Sequence, residues 1–273
     1  MNSVYFFLKY ARYRFIVHRI FLRLKMGKEK RNEYLQKTML SIIDFLPERP
    51  YFMNGIRAIP RRHTNDFYML FTPREELLKS HLTMNENETF VDVGANVGTY
   101  SLKVATDYKD KAVQVIAIEA HPENYKALCR NIACNSFENI TAINKAVSDK
   151  QGSATLYEYL GFGYRTRFET YSLHNNSISQ ESSSLRVECD TLDNILAGYK
   201  VDLMKIDIEG EEVLALKGAM NTLKRLHKII VEVHEYNFDK VKDILEPYNF
   251  KLEIYGEDWG EKKMFHGYII GSK

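Results

Sequence analysis

A strand–turn–helix signature at residues 90–98, Phe-Val-Asp-Val-Gly-Ala-Asn-Val-Gly, constrains the fold of this chain more than any other feature. Its apolar run predicts a buried strand over residues 90–94, and the pattern that follows predicts a helix over residues 98–107. Gly94 permits a tight turn and the close approach of a ligand. Gly98 opens the helix, whose free N–H groups form a polar site. The sequence therefore predicts a ligand-binding turn between a central strand and a helix.

Strands and helices alternate after this signature. Further strands are expected over residues 114–120, 140–147, 203–208 and 228–234, and helices over residues 122–134, 211–226 and 238–246. A closing strand pair is expected at residues 250–255 and 267–271. This alternation predicts an α/β fold with a mostly parallel sheet and helices on both faces. Ligands of such sheets bind beyond the carboxyl ends of the strands.

One stretch interrupts the alternation. Residues 152–162 and 184–188 have the pattern of extra strands, and the polar residues 169–183 lie between them. Long polar loops in compact domains are commonly functional or disordered. We interpret this loop as a flap over the ligand site.

The chemistry of the turn favours S-adenosylmethionine over a dinucleotide. The glycines follow G-x-x-x-G and not the G-x-G-x-x-G of dinucleotide sites. Asp92 stands at the strand end, where a carboxylate suits the ammonium group of the cofactor's amino-acid moiety. A turn needed only for packing is the alternative.

The next two strand ends carry polar residues suited to the rest of the cofactor. Glu119 could accept hydrogen bonds from both ribose hydroxyls, by the logic of Rossmann enzymes. Ser148 and Asp149 could read the edge of the adenine. A helix-capping acid and an ordinary turn are the structural alternatives for these two positions.

Charged residues at the last two parallel strand ends indicate a reaction site. Lys205, Asp207 and Glu209 alternate onto one face, and Glu232 and His234 do the same on the next strand. Charges within apolar strands are costly unless they are paired or used. Asp207, Glu209 or His234 could act as a general base for transfer to oxygen. A Lys205–Asp207 ion pair is the structural alternative, and no metal is assigned.

The N-terminal third differs in charge from the rest. Residues 1–82 hold 16 Lys+Arg and 7 Asp+Glu, and residues 1–25 carry basic side chains and no acid. An imperfect amphipathic helix there could lie on an anionic membrane surface, or could dock on the core or on a second subunit. Residues 47–72 look irregular. We predict a basic helical extension over residues 1–72 and a catalytic domain over residues 73–273.

Composition places few other limits on the chain. Three scattered cysteines fit reduced thiols, and no run of 18 apolar residues indicates a membrane span. We therefore expect a cytoplasmic protein with possible peripheral membrane contact. The acidic catalytic half disfavours nucleic acid as a partner.

Several of these motifs, in this order, resemble the FkbM-type methyltransferases. They are residues 90–98, the Glu119 region, residues 146–149, Asp190-Thr-Leu-Asp-Asn194 and residues 205–210. The resemblance covers roughly residues 75–235. It implies a Rossmann-like class I methyltransferase sandwich with a seven-stranded sheet, and S-adenosylmethionine as the cofactor. It also implies cofactor contacts at Asp92, Gly94, Asn96, Gly98, Glu119 and Ser148 or Asp149, and a reaction facing Asp207 and Glu209.

The expected function is O-methylation of a small-molecule or glycan acceptor. Two alternatives remain at this stage. One is a methyltransferase fold that binds a partner without catalysis, and the other is an NAD-dependent oxidoreductase on a similar sheet. The acceptor itself is not specified by any motif.

Overall fold

The computed structural model describes residues 47–53, 55–62, 64–71, 76–159, 170–172, 183–235, 237–258 and 265–273. Three sequence predictions fall outside this part of the chain. They are the basic helix of residues 1–25, the start of a helix that Thr72-Pro73-Arg74-Glu75 predicts as a capping box with proline at the first helical position, and most of the flap at residues 169–183. Within the described residues, none of the helices combines the length and the apolar character needed to cross a bilayer.

Thirteen strands and eight α-helices make up the described part of the chain. The strands are β1 (Tyr51–Met53), β2 (Ile56–Ala58), β3 (Thr89–Val93), β4 (Gln114–Ile118), β5 (Ile140–Ile143), β6 (Ala146–Val147), β7 (Gly152–Tyr159), β8 (Thr170–Ser172), β9 (Ser183–Asp190), β10 (Leu203–Ile206), β11 (Lys228–Glu235), β12 (Lys251–Asp258) and β13 (Phe265–Ser272). The helices are α1 (Asp66–Phe71), α2 (Glu76–His81), α3 (Thr99–Asp107), α4 (Pro122–Asn135), α5 (Leu192–Ile195), α6 (Glu212–Lys217), α7 (Met220–Arg225) and α8 (Phe238–Leu245).

The central sheet has seven strands in the order β12-β13-β11-β10-β3-β4-β5. Its five strands from β11 to β5 run parallel, and β13 pairs antiparallel with both β11 and β12. Every residue of β3 and β10 is buried. Strands covered on both faces read as continuous apolar runs, which is why the sequence pattern located them. The predicted mostly parallel α/β fold is confirmed.

The two faces of the sheet bury separate clusters. Val91 and Ile116 pack with Leu216 on one face, whereas Phe90 and Val115 pack with Val104 on the other. Neighbouring residues of a strand point to opposite faces, so a single strand contributes to both clusters. Among the described residues, helices therefore cover both sides of the sheet, which leaves its edges and strand ends open to ligands.

The strand predicted over residues 140–147 is two strands. β5 ends at Ile143, and β6 begins at Ala146 and joins a second sheet of order β6-β9-β7-β8. Asn144 causes the interruption, because its Nδ2 donates to the carbonyls of Glu119 and Ala120 at 2.7 and 3.1 Å. The chain therefore turns at the carboxyl edge of the central sheet. The second sheet contains the extra strands that the sequence predicted.

The helix predicted over residues 211–226 is also divided, into α6 and α7. A Cβ on Gly218 would lie 2.2 Å from the carbonyl oxygen of Ser148, so the break sits where two backbones touch. The carboxylate of Asp193 then accepts from the backbone N–H groups of Asn221 and Thr222 at 2.9 and 2.7 Å. These bonds satisfy donors that the first turn of α7 leaves open.

Residues 51–71 are more ordered than their sequence suggested. They form the antiparallel hairpin β1–β2 and helix α1. Ile56, Phe67 and Phe71 share a hydrophobic cluster with Leu102 and Ala127. The segment is therefore packed on α3 and α4. The boundary at residues 72 and 73 remains a prediction, and side chains from both sides of it share one core cluster.

Candidate active site

A cleft opens at the carboxyl ends of β3, β4 and β10. Its walls come from the turns after these strands, from helices α1, α3 and α4, and from strands β6 and β7. The lining residues are Met69, Val93, Gly94, Ala95, Asn96, Thr99, Tyr100, Ile118, Glu119, Ala120, Asn124, Lys145, Ala146, Val147, Leu156, Lys205, Asp207, Ile208, Glu209 and Glu211. The position agrees with the rule that open α/β sheets bind ligands beyond their strand ends.

The turn after β3 forms the floor of this cleft. Gly94, Asn96 and Gly98 all have left-handed backbones, with φ of 80°, 51° and 97°. A Cβ on Gly94 would lie 1.9 Å from the carbonyl oxygen of Asp207. The absence of a side chain at Gly94 is therefore what lets the turns after β3 and β10 meet. Gly98 caps α3 without a side-chain hydrogen bond.

Glu119 lies on the cleft wall, as the sequence predicted. Its carboxylate accepts from the backbone N–H groups of Asn96 and His121 at 2.8 and 2.9 Å, and hydrogen bonding by the nearby Asn124 side chain also lowers its pKa. Burial raises the pKa of Glu119 to about 7, although these hydrogen bonds act in the opposite direction and lower it. A carboxylate offers roughly four acceptor positions. The carboxylate therefore keeps acceptor capacity toward the cleft, and its bonds to the ribose hydroxyls remain a prediction.

Asp92 lies beneath the cleft and not on its wall. It is fully buried, and its Oδ2 accepts from the backbone N–H and the hydroxyl of Ser101 at 3.0 and 2.6 Å. Burial raises the pKa of Asp92, and the nearby Lys205 charge opposes the shift. Its Oδ1 is buried without a hydrogen-bond partner. The structure places Asp92 against Ser101 in the first turn of α3, and its contact with the cofactor remains a prediction.

Ser148 and Asp149 do not line the cleft either. The backbone N–H of Ser148 donates to the carbonyl of Asp190 at 3.0 Å, and Asp149 is exposed. The chain between β5 and β6 turns earlier than predicted, so Ala146 and Val147 occupy the wall instead. The cleft wall is apolar at this point, and the adenine contacts of Ser148 and Asp149 remain a prediction.

Lys205, which is fully buried, and Asp207, which is partly exposed, form an ion pair. Their Nζ and Oδ2 atoms are 2.9 Å apart, and the Lys205 ammonium lies 4.5 Å from the ring centre of Tyr100. Burial alone would raise the pKa of Asp207, but the charge and hydrogen bond of Lys205 hold it below its usual value. The Lys205–Asp207 ion pair, which the sequence offered as the structural alternative, is therefore present, and both residues line the cleft.

His234 lies between two carboxylates. Its Nδ1 is 2.8 Å from Oε1 of Glu212, and its Nε2 is 3.4 Å from Oε2 of Glu209. Burial would lower the pKa of His234, but the bond to Glu212 and the charge of Glu209 raise it to about 9. Glu212 is fully buried and also accepts from Asn237 at 2.7 Å. His234 is therefore held as an imidazolium at neutral pH.

Glu209 is the most accessible of the three predicted catalytic residues. Its side chain is 42% exposed, and its backbone is left-handed, with φ of 51°. Partial burial, followed by the charge of Asp207, raises the pKa of Glu209 to about 7. The structure thus brings Asp207, Glu209 and His234 together. The pKa is lowered for Asp207, raised to about 7 for Glu209 and raised to about 9 for His234.

Asp207, Glu232 and His234 also group closely, with one ligand atom from each within 4.8 Å of the others. Such a set has the chemistry of a divalent cation site. The ammonium of Lys205 already balances this group, since the charges of Asp207 and Glu232 both raise its pKa against the effect of burial. We assign no metal.

Several residues of the site were not found from the sequence, and three of them matter most here. Glu212 looked like an ordinary helix acid, Met69 lay in a stretch read as irregular, and Asn124 sat unnoticed in α4. A readable signal existed only for Asn124. It stands with Asn131 and Asn135 on one face of α4, and buried amides on a helix commonly have specific partners.

Stability should depend on pH through His234. A folded-state pKa of about 9 against 6.5 means that His234 stabilises the fold below pH 6.5, and that this contribution is lost as the pH rises through 9. Its size is of the order of 3 kcal/mol, at 1.36 kcal/mol per unit of pKa. We expect the gap in unfolding free energy between wild type and His234→Asn to shrink from pH 6 to pH 10 in urea titrations. His227→Asn is the control, since His227 is 63% exposed. A gap of constant size would contradict the assignment.

The chain is similar to several known methyltransferases. The chain is 25% identical to the methyltransferase sdnD of Sordaria araneosa over 202 residues, which are 63% of this chain and 77% of that relative. It is 24% identical to the hexuronic acid methyltransferase AglP of Haloferax volcanii over 154 residues, 55% of this chain and 57% of AglP. The solved FkbM methyltransferase of Methylobacillus flagellatus aligns at 19% identity and a TM-score of 0.47, over 74% of this chain and 47% of that one.

The sequence profile of the methyltransferase FkbM domain matches residues 92–252. This range begins at Asp92 in β3 and extends into β12. It includes every residue for which a catalytic or cofactor-binding role was predicted. It spans more than half of the 273 residues. The chain therefore belongs to the FkbM family of methyltransferases, enzymes that take the transferred methyl group from S-adenosylmethionine.

Proposed function

We propose that this methyltransferase methylates a hydroxyl oxygen of a sugar or another small polyhydroxylated acceptor, with Glu209 as the general base. The observation that carries the proposal is the position of Glu209: a partly exposed carboxylate on the cleft wall, with a pKa of about 7. General bases work best when their pKa is close to the operating pH. The name of the relative AglP, a hexuronic acid methyltransferase, supports a sugar acceptor.

The residues on the cleft wall fit the cofactor. Glu119 has acceptor capacity for a ribose hydroxyl, and Ala146, Val147 and Leu156 offer an apolar surface for a purine. At the turn, Gly94 has no side chain and so leaves room for a ligand, and Asn96 also lines the cleft. When bound, S-adenosylmethionine supplies an electrophilic methyl group on a sulfonium. Asp92 supports this arrangement from below through α3.

The two other predicted bases are less suited to accept a proton. Asp207 is paired with Lys205 at 2.9 Å, and a carboxylate of lowered pKa is a weak base. His234 already carries a proton at neutral pH, because Glu212 and Glu209 raise its pKa to about 9. We assign to His234 the role of holding the carboxylate of Glu209 in place. Asp207 and Lys205 contribute a pair of opposite charges to the cleft wall. Glu209 would accept the acceptor proton as the hydroxyl oxygen takes the methyl group, and the S–CH₃ bond would break so that the sulfonium leaves as the neutral thioether S-adenosylhomocysteine.

The test is methyl transfer by the full chain from labelled S-adenosylmethionine to a panel of hexuronic acids and matching neutral hexoses. A hexuronic acid offers both hydroxyls and a carboxylate, and only a hydroxyl needs a base. We expect a labelled product that resists mild alkali, as a methyl ether does. A product saponified by alkali would be a methyl ester and would overturn the assignment to hydroxyl oxygen.

Glu119→Gln should weaken the binding of S-adenosylhomocysteine about tenfold to a hundredfold, the size of one hydrogen bond to a charged group. The glutamine keeps an acceptor for Asn96 while removing the charge. Calorimetric titration measures the change. Glu123→Gln is the matched control, because Glu123 lies nearby with a 61% exposed side chain and bonds to Lys126. Equal affinities of the two variants would show that Glu119 does not contact the cofactor.

A further inference from the structure

Residues 57–61, which precede the family match, run along one face of α4. Three asparagines of that helix form this face, Asn124, Asn131 and Asn135, and we call them the asparagine stripe. The backbone N–H groups of Arg57 and Ile59 donate to the side chains of Asn135 and Asn131 at 2.8 and 2.9 Å. The stripe therefore fixes the register of this segment against the cofactor-binding half of the domain.

Arg61 ends the segment and bridges two partners. Its Nε and Nη2 donate to both carboxylate oxygens of Asp66 at 2.8 and 2.9 Å, and its Nη2 also donates to Oδ1 of Asn124 at 2.8 Å. The side chains of Arg61 and Asp66 are 17% and 1% exposed. A planar fork held by two bonds to one carboxylate has little rotational freedom. Arg61 thus presents a fixed donor to Asn124.

That donor determines which way the Asn124 amide faces. Because Oδ1 accepts from Arg61, the NH₂ group is the part left to face the cleft, whose wall Asn124 shares with Glu119, and a hydrogen bond from Asn124 would lower the pKa of Glu119. The reversed amide would set two donors against each other at Arg61 and an oxygen against the carboxylate. Asn124 is 1% exposed, so water does not replace either bond.

We propose that Arg61 is a positioning residue for the cofactor. It holds the Asn124 amide so that Glu119 keeps its orientation on the cleft wall and can meet the ribose. The inference rests on the proposed role of Glu119 in cofactor binding. Arg61 does not line the cleft, and it lies outside residues 92–252, so the N-terminal segment acts on affinity through Asn124.

The test is a double-mutant cycle on the full chain, read as the dissociation constant for S-adenosylhomocysteine. Arg61→Ala is combined with Asp66→Ala, because Asp66 alone would be left as an unpaired buried charge. This paired variant is made with Asn124 intact and in Asn124→Ala. We expect about tenfold weaker binding with Asn124 intact, as for one hydrogen bond, and less than about twofold weakening in Asn124→Ala. Arg62→Ala, at the exposed neighbour, should bind like wild type.

Each outcome supports or overturns the proposed positioning role of Arg61. An equal loss in both backgrounds would mean that Arg61 acts by packing and not through Asn124, and an unchanged affinity would remove it from cofactor binding. If the paired variant unfolds, Arg61→Lys keeps a cation beside Asp66 and is judged by the same comparison. If wild type binds S-adenosylhomocysteine and the Arg61 variant binds it equally well, this inference alone is overturned. Wild type that fails to bind S-adenosylhomocysteine overturns the proposed function as well.

Discussion

Gly94→Ala is expected to lower the free energy of unfolding by at least about 4 kcal/mol, in the range of the most severe single substitutions. The new Cβ would stand 1.9 Å from the carbonyl oxygen of Asp207, a backbone atom that cannot move without shifting β10. Its φ of 80° adds the cost of a left-handed alanine, about 1 kcal/mol. Because the same turn forms the floor of the cleft, binding of S-adenosylhomocysteine should be lost too. Urea unfolding followed by circular dichroism measures the first effect.

Gly198→Ala separates the two causes. Gly198 has a φ of 86°, and a Cβ placed there meets nothing within 4 Å. It therefore carries the conformational cost without the collision. We expect Gly198→Ala to lose only about 1 kcal/mol, with cofactor binding intact. Comparable losses in the two variants would mean that the contact between the β3 and β10 turns is not what requires glycine at position 94.

Glu209→Gln should reduce the rate of methyl transfer about 10²- to 10⁴-fold, the usual contribution of a general base. The change is nearly isosteric, and the side chain is 42% exposed, so the fold should be retained. Binding of S-adenosylhomocysteine should change little, because the loss concerns proton removal. Initial rates with labelled cofactor and an active acceptor from the panel measure the effect. Glu123→Gln is again the control.

The pH profile gives a second measure of the same residue. A base with a pKa of about 7 must lose its proton to act, so kcat/KM should rise with pH up to about 7 and then level. In Glu209→Gln this rise should disappear from the residual rate. A variant that keeps the wild-type profile, even at a lower rate, would move the titrating group to another residue.

The strands of the parallel sheet were predictable because each is covered on both faces and reads as an apolar run. The turn at residues 94–98 could be predicted equally well, because glycine adopts the left-handed backbone conformation of a tight turn more readily than other residues. The breaks at Asn144 and Gly218 were not. Both depend on contacts across the fold, Asn144 with the carbonyl of Glu119 and Gly218 with that of Ser148. A window of sequence contains only one partner of each pair.

The candidate site shows the same division. Alternation along the strands placed Asp207 and Glu209 at one edge of the sheet, and the structure brings His234 to the same edge. Their different tendencies to hold a proton depend on partners that local patterns do not mark, above all Glu212, which lies 22 positions from His234 along the chain. Asp92 was assigned to the cofactor because its position in the turn is visible, while its bonds to Ser101 are not.

The sequence by itself determined the fold class, the family resemblance and the strand ends that carry charge, because hydrophobic period and turn chemistry are local properties of the chain. Tertiary structure decided which of those charges are buried, which are paired and which reach the cleft, because pKa and hydrogen bonding depend on neighbours that folding brings together from distant positions. Asp92 beneath the floor, His234 between two carboxylates, and Arg61 behind Asn124 are all consequences of that packing.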